Sequence, residues 1–141
     1  MYIRFIARPR GRAAGHRRQH RLIHEIGIFT AAYALQREGA LTPPDHATLD
    51  EQLAWFERTL RLPQTVCVPR PRWGSKPAAF WFTPSATEAV ARARALAALL
   101  DAHGHDIHVL RTAQPGLVLY RDEHQVLAVP FRDVHVAARS A

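Results

Sequence analysis

The side chains best placed for chemistry in this 141-residue chain are arginines crowded at its amino end. Arg4, Arg8, Arg10, Arg12, Arg17, Arg18 and Arg21 all precede the first acidic residue, Glu25, and together equal the formal net charge of +7. The remaining 12 Lys and Arg are balanced by 12 Asp and Glu. A one-signed block attracts a polyanion, whereas the same charge scattered over a surface mainly confers solubility. Guanidinium groups suit phosphate because their planar fork can donate two parallel hydrogen bonds. Arg8, Arg10, Arg12, Arg17, Arg18 and Arg21 are therefore the first candidate phosphate contacts. Lys76 is the sole lysine; a GC-rich genome accounts for an arginine bias, but not for its clustering.

A second basic segment lies between Glu57 and Glu88, where no acid occurs but Arg58, Arg61, Arg70, Arg72 and Lys76 do. Arg70, Arg72, Trp73 and Lys76 share a proline-stiffened stretch that could set cations beside an indole. That combination serves single-stranded nucleic acid, whose bases stack on aromatic rings. The competing reading has Trp73 folded back over the core, as tryptophans commonly are.

Other reactive groups carry less. His16, His20 and His24 are spaced by four, which on a continuous helix would align three imidazoles with Glu25 nearby. Gly15 and the surrounding arginines argue against both the helix and a bound dication, so no metal is expected. His103, His105 and His108 with Asp106 follow a helix, where imidazole favours the negative end of the dipole, and a capping role is expected. Cys67, between valines, reads as a small buried hydrophobe. The cluster Tyr120 to His124 reads as a polar hairpin tip. Gly11 to Gly15 lacks the lysine and hydroxyl of a triphosphate-binding loop, and no serine sits in a nucleophile elbow. No cofactor is expected.

These residues need elements to position them. Met1 to Ala7 predicts a strand that Pro9 stops, and residues 8 to 21 a basic arm or loop with little to bury. Leu22, Ile26, Phe29 and Tyr33 predict a helix ended by Gly39. Thr42-Pro43-Pro44-Asp45 predicts the start of a second, with Leu49, Leu53, Phe56 and Leu60 as its apolar stripe. Residues 63 to 77 carry four prolines and suit at most a short edge strand at Val66 to Val68. Ala78 to Phe82 predicts a strand. Ser85 to Glu88 has capping-box spacing before a third helix facing inward through Val90, Leu96, Leu99 and Leu100. Ile107 to Arg111, Leu117 to Tyr120 and Gln125 to Val129 predict three more strands, the last two a hairpin. Residues 135 to 141 read as a loose tail.

The expected architecture is a single α+β domain over residues 1 to 134, two-layered, with about three helices on one face of a mixed or antiparallel sheet of four to five strands. Composition agrees: 48% hydrophobic and 22% charged residues are ordinary for a globular chain. One cysteine allows no internal disulfide, and no apolar run is long enough for export or insertion. A cytoplasmic setting without membrane contact is expected.

Several segments also match a pattern. Gly27 to Leu35, Leu53-Ala54-Trp55-Phe56, Trp81-Phe82 and Leu99-Leu100-Asp101-Ala102-His103-Gly104 belong to it. So do Leu110-Arg111-Thr112 with Pro115-Gly116, and Tyr120 to Val126 ending at Pro130-Phe131. Together they resemble a family of small bacterial proteins with no assigned activity, over most of the chain beyond residue 26. The resemblance implies no reaction, and the stretch before Gly27 is longer and richer in arginine than the family pattern. The expectation is a small non-catalytic module contacting nucleic-acid phosphates without sequence preference. The alternatives are an inhibitor or accessory subunit using the same arm against an acidic protein, and a metal-dependent nuclease using His16, His20, His24 or His124.

Overall fold

The computed structural model describes residues 1–10, 25–70 and 77–131, together with the backbone of 137–140. Their order is β1 (Tyr2–Pro9), β2 (Ile26–Gly27), α1 (Ile28–Glu38), α2 (Pro43–Thr59), β3 (Ala79–Phe82), α3 (Thr87–Ala102), β4 (His105–Thr112), β5 (Leu117–Arg121), β6 (Gln125–Val129) and β7 (Ala137–Ser140). The architecture is α+β, and every strand pair is antiparallel. The seven-stranded sheet runs β5-β6-β3-β1-β4-β7, with β2 paired to β1.

Alternation along β1 shows how the layers form. Ile3, Phe5 and Ala7 join Ile107 and Val109 of β4 and Phe82 of β3 against the helices. Tyr2 and Leu110 point to the opposite face, where they pack with Ala79, Trp81 and Val126. Both faces of the central strands are thus apolar, a pattern that demands cover on both sides. The helices bury faces of the expected period: Leu49, Leu53 and Phe56 on α2, and Ala89, Ala93, Leu96, Ala97 and Leu100 on α3. Each fully buried leucine, such as Leu49, Leu96 or Leu100, contributes roughly 1.5–3 kcal/mol.

The observed ends follow from local chemistry. Thr42 caps α2, its hydroxyl accepting from the Asp45 N–H at 3.4 Å, with proline in the first turn. The capping box expected for α3 is not used. Ala86 is its N-cap, without a side-chain bond, while the Thr83 hydroxyl donates to the Glu123 carbonyl at 2.8 Å and ties the helix entrance to the β5–β6 turn. At that turn Asp122 accepts from the N–H groups of His124 and Gln125, both at 2.8 Å.

Several expectations are corrected. α1 begins at Ile28, and Ile26–Gly27 pair with Ala7 and Ile6 as a strand. The buried face of α1 is Ile28, Ala31, Ala32 and Leu35, with Phe29 and Tyr33 at its margin. Strand β1 continues through Pro9, because the Arg10 N–H bonds the Gly104 carbonyl and so turns the Pro9 nitrogen toward the side where β2 has already ended. Val66 to Val68 form no strand, and Cys67 is exposed. Within the stretch read as a loose tail, Ala137–Ser140 pair with β4 from His108 to Arg111, the edge that β1 leaves open.

Two predictions follow from these contacts. Gly116 lies at φ +128°, and a Cβ there would overlap the Val129 carbonyl. Gly116→Ala should destabilise the protein by at least about 2 kcal/mol in urea denaturation; a loss under about 0.5 kcal/mol would contradict the turn geometry. On the helical layer, the Tyr33 hydroxyl donates to Glu57 at 2.5 Å, which together with burial and the carboxylate charge pushes its pKa up to about 12. Its stabilising contribution is complete below the unfolded tyrosine value and is lost as pH rises through the folded one. Ultraviolet titration should show one tyrosine ionising near pH 12, and Glu57→Gln should lower that midpoint toward the ordinary range.

Candidate functional site

The basic segment is rooted in the sheet at both ends. On one side stand Arg8 and Pro9 of β1, followed by Arg10; on the other stands Glu25, followed by β2. The pairs Ile6 with Gly27 and Ala7 with Ile26 bring the two ends together, and an ion pair between Arg8 and Glu25 closes the neck. The residues that flank the segment, Arg10 and Glu25, thus follow and precede two antiparallel strands that pair with each other.

Arg10 fastens the same neck to the opposite side of the sheet. Its Nη1 lies 2.9 Å from Asp101 Oδ1 and 3.1 Å from Asp106 Oδ1, and its Nη2 donates to the Asp101 carbonyl near the end of α3. The hydrogen bond to Asp101 is the main reason its pKa is raised; desolvation opposes the rise, and the bond to Asp106 and the two carboxylate charges add to it. A guanidinium at a helix C-terminus also meets the negative end of the dipole. His103, the C-cap residue of α3, sets its Nε2 3.3 Å from Asp45 Oδ2 and links α3 to the first turn of α2.

The candidate residues thus divide. Arg8 and Arg10 are engaged by carboxylates of the same fold. Arg70 is exposed and has no carboxylate within ion-pair distance among the described residues. Arg12, Arg17, Arg18, Arg21, Arg72, Trp73 and Lys76 lie outside the described residues, as do His16, His20 and His24. His124 pairs with its neighbour Glu123 at 3.1 Å, and Tyr120 donates to Asp122 at 3.0 Å. Burial raises the Asp122 pKa, but the His124 and Gln125 backbone donors outweigh it and hold the carboxyl below its usual range. This is hydrogen bonding that shapes a turn. Among the described residues, no three His, Cys, Asp or Glu side chains converge as metal ligands would. No described helix is long and apolar enough to cross a membrane.

A second feature escaped the sequence reading. β3 meets β1 only at Ile3 opposite Phe82, and β2 meets it only at Ile6 and Ala7. Between those contacts Arg4 and Phe5 have a strand partner on the β4 side alone. A cavity of about 450 Å³ fills this notch, lined among others by Arg4, Phe29, Leu62, Phe80 and Trp81. Its rim is fixed by Gln125, whose Nε2 donates to the Leu60 carbonyl at 3.0 Å. The signal for it was Arg4, a charge set between Ile3 and Phe5 near the start of an otherwise largely apolar strand.

In comparisons with known proteins, no family model matches this chain, nor does any curated protein or solved structure.

If Arg10 holds the neck, neutralising both its partners should loosen it. The double variant Asp101→Asn, Asp106→Asn is expected to exchange the Arg10 amide, bonded at 2.7 Å to the Gly104 carbonyl, severalfold faster by hydrogen exchange. Unchanged protection would show that the strand register alone fixes this end.

Proposed function

We propose that this protein is a small non-catalytic module that binds nucleic acid through its phosphates, using the loop between β1 and β2. One observation carries the reading: residues 11–24 hold Arg12, Arg17, Arg18 and Arg21 and no acid, on a segment whose two ends are tied to the sheet by β1–β2 pairing and by Arg8 and Arg10. The division of labour follows. Arg8 and Arg10, already satisfied by carboxylates, anchor the loop, and the four arginines between Arg10 and Glu25 meet phosphate. A loop joined at both ends loses less entropy on binding than a free arm of the same length.

Arg70, Arg72, Trp73 and Lys76 add a second contact on this reading. Phosphate contacts carry affinity without base information, so sequence preference is expected to be weak. The acidic-protein alternative uses the same charge. The nuclease alternative gains nothing from the described residues, where no ligand cluster assembles.

The test is binding to single-stranded oligonucleotides over a salt series. Four phosphate contacts give a slope of about −3 in log affinity against log salt. Replacing Arg12, Arg17, Arg18 and Arg21 together by alanine should flatten most of that slope while leaving the melting temperature within a few degrees. Affinity independent of salt, or unaltered in the quadruple variant, would remove the proposal. Absence of oligonucleotide binding alongside capture of a stoichiometric acidic protein would transfer the loop to the alternative reading.

A further inference from the structure

The notch between β2 and β3 has the features of a small-molecule site, and none of them is used by the basic loop. Its volume, about 450 Å³, falls within the range of ligand pockets. The walls are mainly apolar: Phe29, Leu62, Phe80 and Phe82 from three different elements or connections. Such a surface favours an apolar body of roughly ten to fifteen non-hydrogen atoms.

Few polar side chains line the same place, among them Arg4, Thr30 and Gln125. Arg4 lines the cavity and makes no ion pair among the described residues. Burial holds its guanidinium below the ordinary arginine value despite the opposing charge of Glu25, which Arg8 already engages. Removing a charge from water without a partner is costly, so an anion that reached it would recover that cost. Gly27, Ile28, Phe29 and Thr30 bring the first turn of the 11-residue helix α1 to the cavity. Its N-cap supplies no side-chain acceptor and its first turn no acid, so the positive end of the helix is unopposed there. Trp81, only 4% exposed, also lines the cavity.

An unpaired cation and the open amino end of a helix beside an apolar wall describe a ligand with a single negative charge and a hydrocarbon body. We propose that this cavity binds a small apolar monocarboxylate, its carboxylate on Arg4 and the first turn of α1 and its body against Phe29, Leu62 and Phe80. One guanidinium matches a monoanion; a phosphate dianion would leave a charge unbalanced in the same apolar surroundings. The proposal is independent of the loop between β1 and β2 and stands or falls separately from it.

Calorimetric titration of the intact protein with octanoate, 3-phenylpropionate, 1-octanol and inorganic phosphate tests it. At least one carboxylate should bind saturably and on the order of tenfold more tightly than the alcohol, with phosphate not binding. Whichever acid binds better identifies a linear or an aromatic body. Arg4→Met, which keeps length and apolar character, should abolish the preference for acid over alcohol. If Arg4→Met fails to fold, Arg4→Lys provides the check, keeping the charge but losing the bidentate fork and weakening the acid severalfold. No saturable carboxylate binding, equal affinity for alcohol and acid, binding of phosphate alone, or a preference that survives in Arg4→Met would each overturn the proposal.

Discussion

Strand β1 is the constraint on which the rest of this structure depends. One of its edges is covered by β4 from Tyr2 to Pro9, eight consecutive pairs. Its other edge is divided between β3 at Ile3 and β2 at Ile6 and Ala7. The division has two results. β2 pins the far end of the basic segment beside its near end, and the unpaired stretch between β2 and β3 leaves the notch lined by Arg4. A β3 that followed β1 along its length would remove both.

The distribution of charge takes on a definite form in this light. The chain's formal excess lies before Glu25, but two of the arginines that make it up are turned inward on carboxylates, Arg8 on Glu25 and Arg10 on Asp101 and Asp106. These exposed pairs contribute little to global stability; their effect is positional. Arg10 joins the start of the loop to the end of α3 and the start of β4. The other arginines of that excess are Arg4, which lines the notch, and Arg12, Arg17, Arg18 and Arg21, which the proposed function assigns to phosphate.

Much of the architecture was legible because local chemistry and tertiary packing agree. Thr42 with Pro43, the stripe Leu49, Leu53 and Phe56, and the turn at Pro115-Gly116 each specify their element without help from distant residues. The misses have the opposite character. Ile26 fits the helical spacing of Phe29 and Tyr33, yet the edge of β1 claims it as a strand. Ala137–Ser140 show no alternation, and only an open edge of β4 makes them a strand. Cys67 between two valines suggests burial that a proline-rich connection does not supply. The pairing of Arg10 was illegible for a plainer reason: its carboxylates lie 91 and 96 residues away. The cavity depends on where two strands stop, which no periodicity records, although an arginine between apolar neighbours on both faces of β1 marked the place.

The divided edge of β1 can be observed directly by cross-strand nuclear Overhauser effects between backbone protons. The account predicts contacts of Ile3 with Phe82 and of Ile6 and Ala7 with Gly27 and Ile26, and none between Phe5 and Phe80. A continuous ladder joining β1 to β3 through Phe5 and Phe80 would contradict it, closing the notch at Arg4 and detaching the basic loop from its second root.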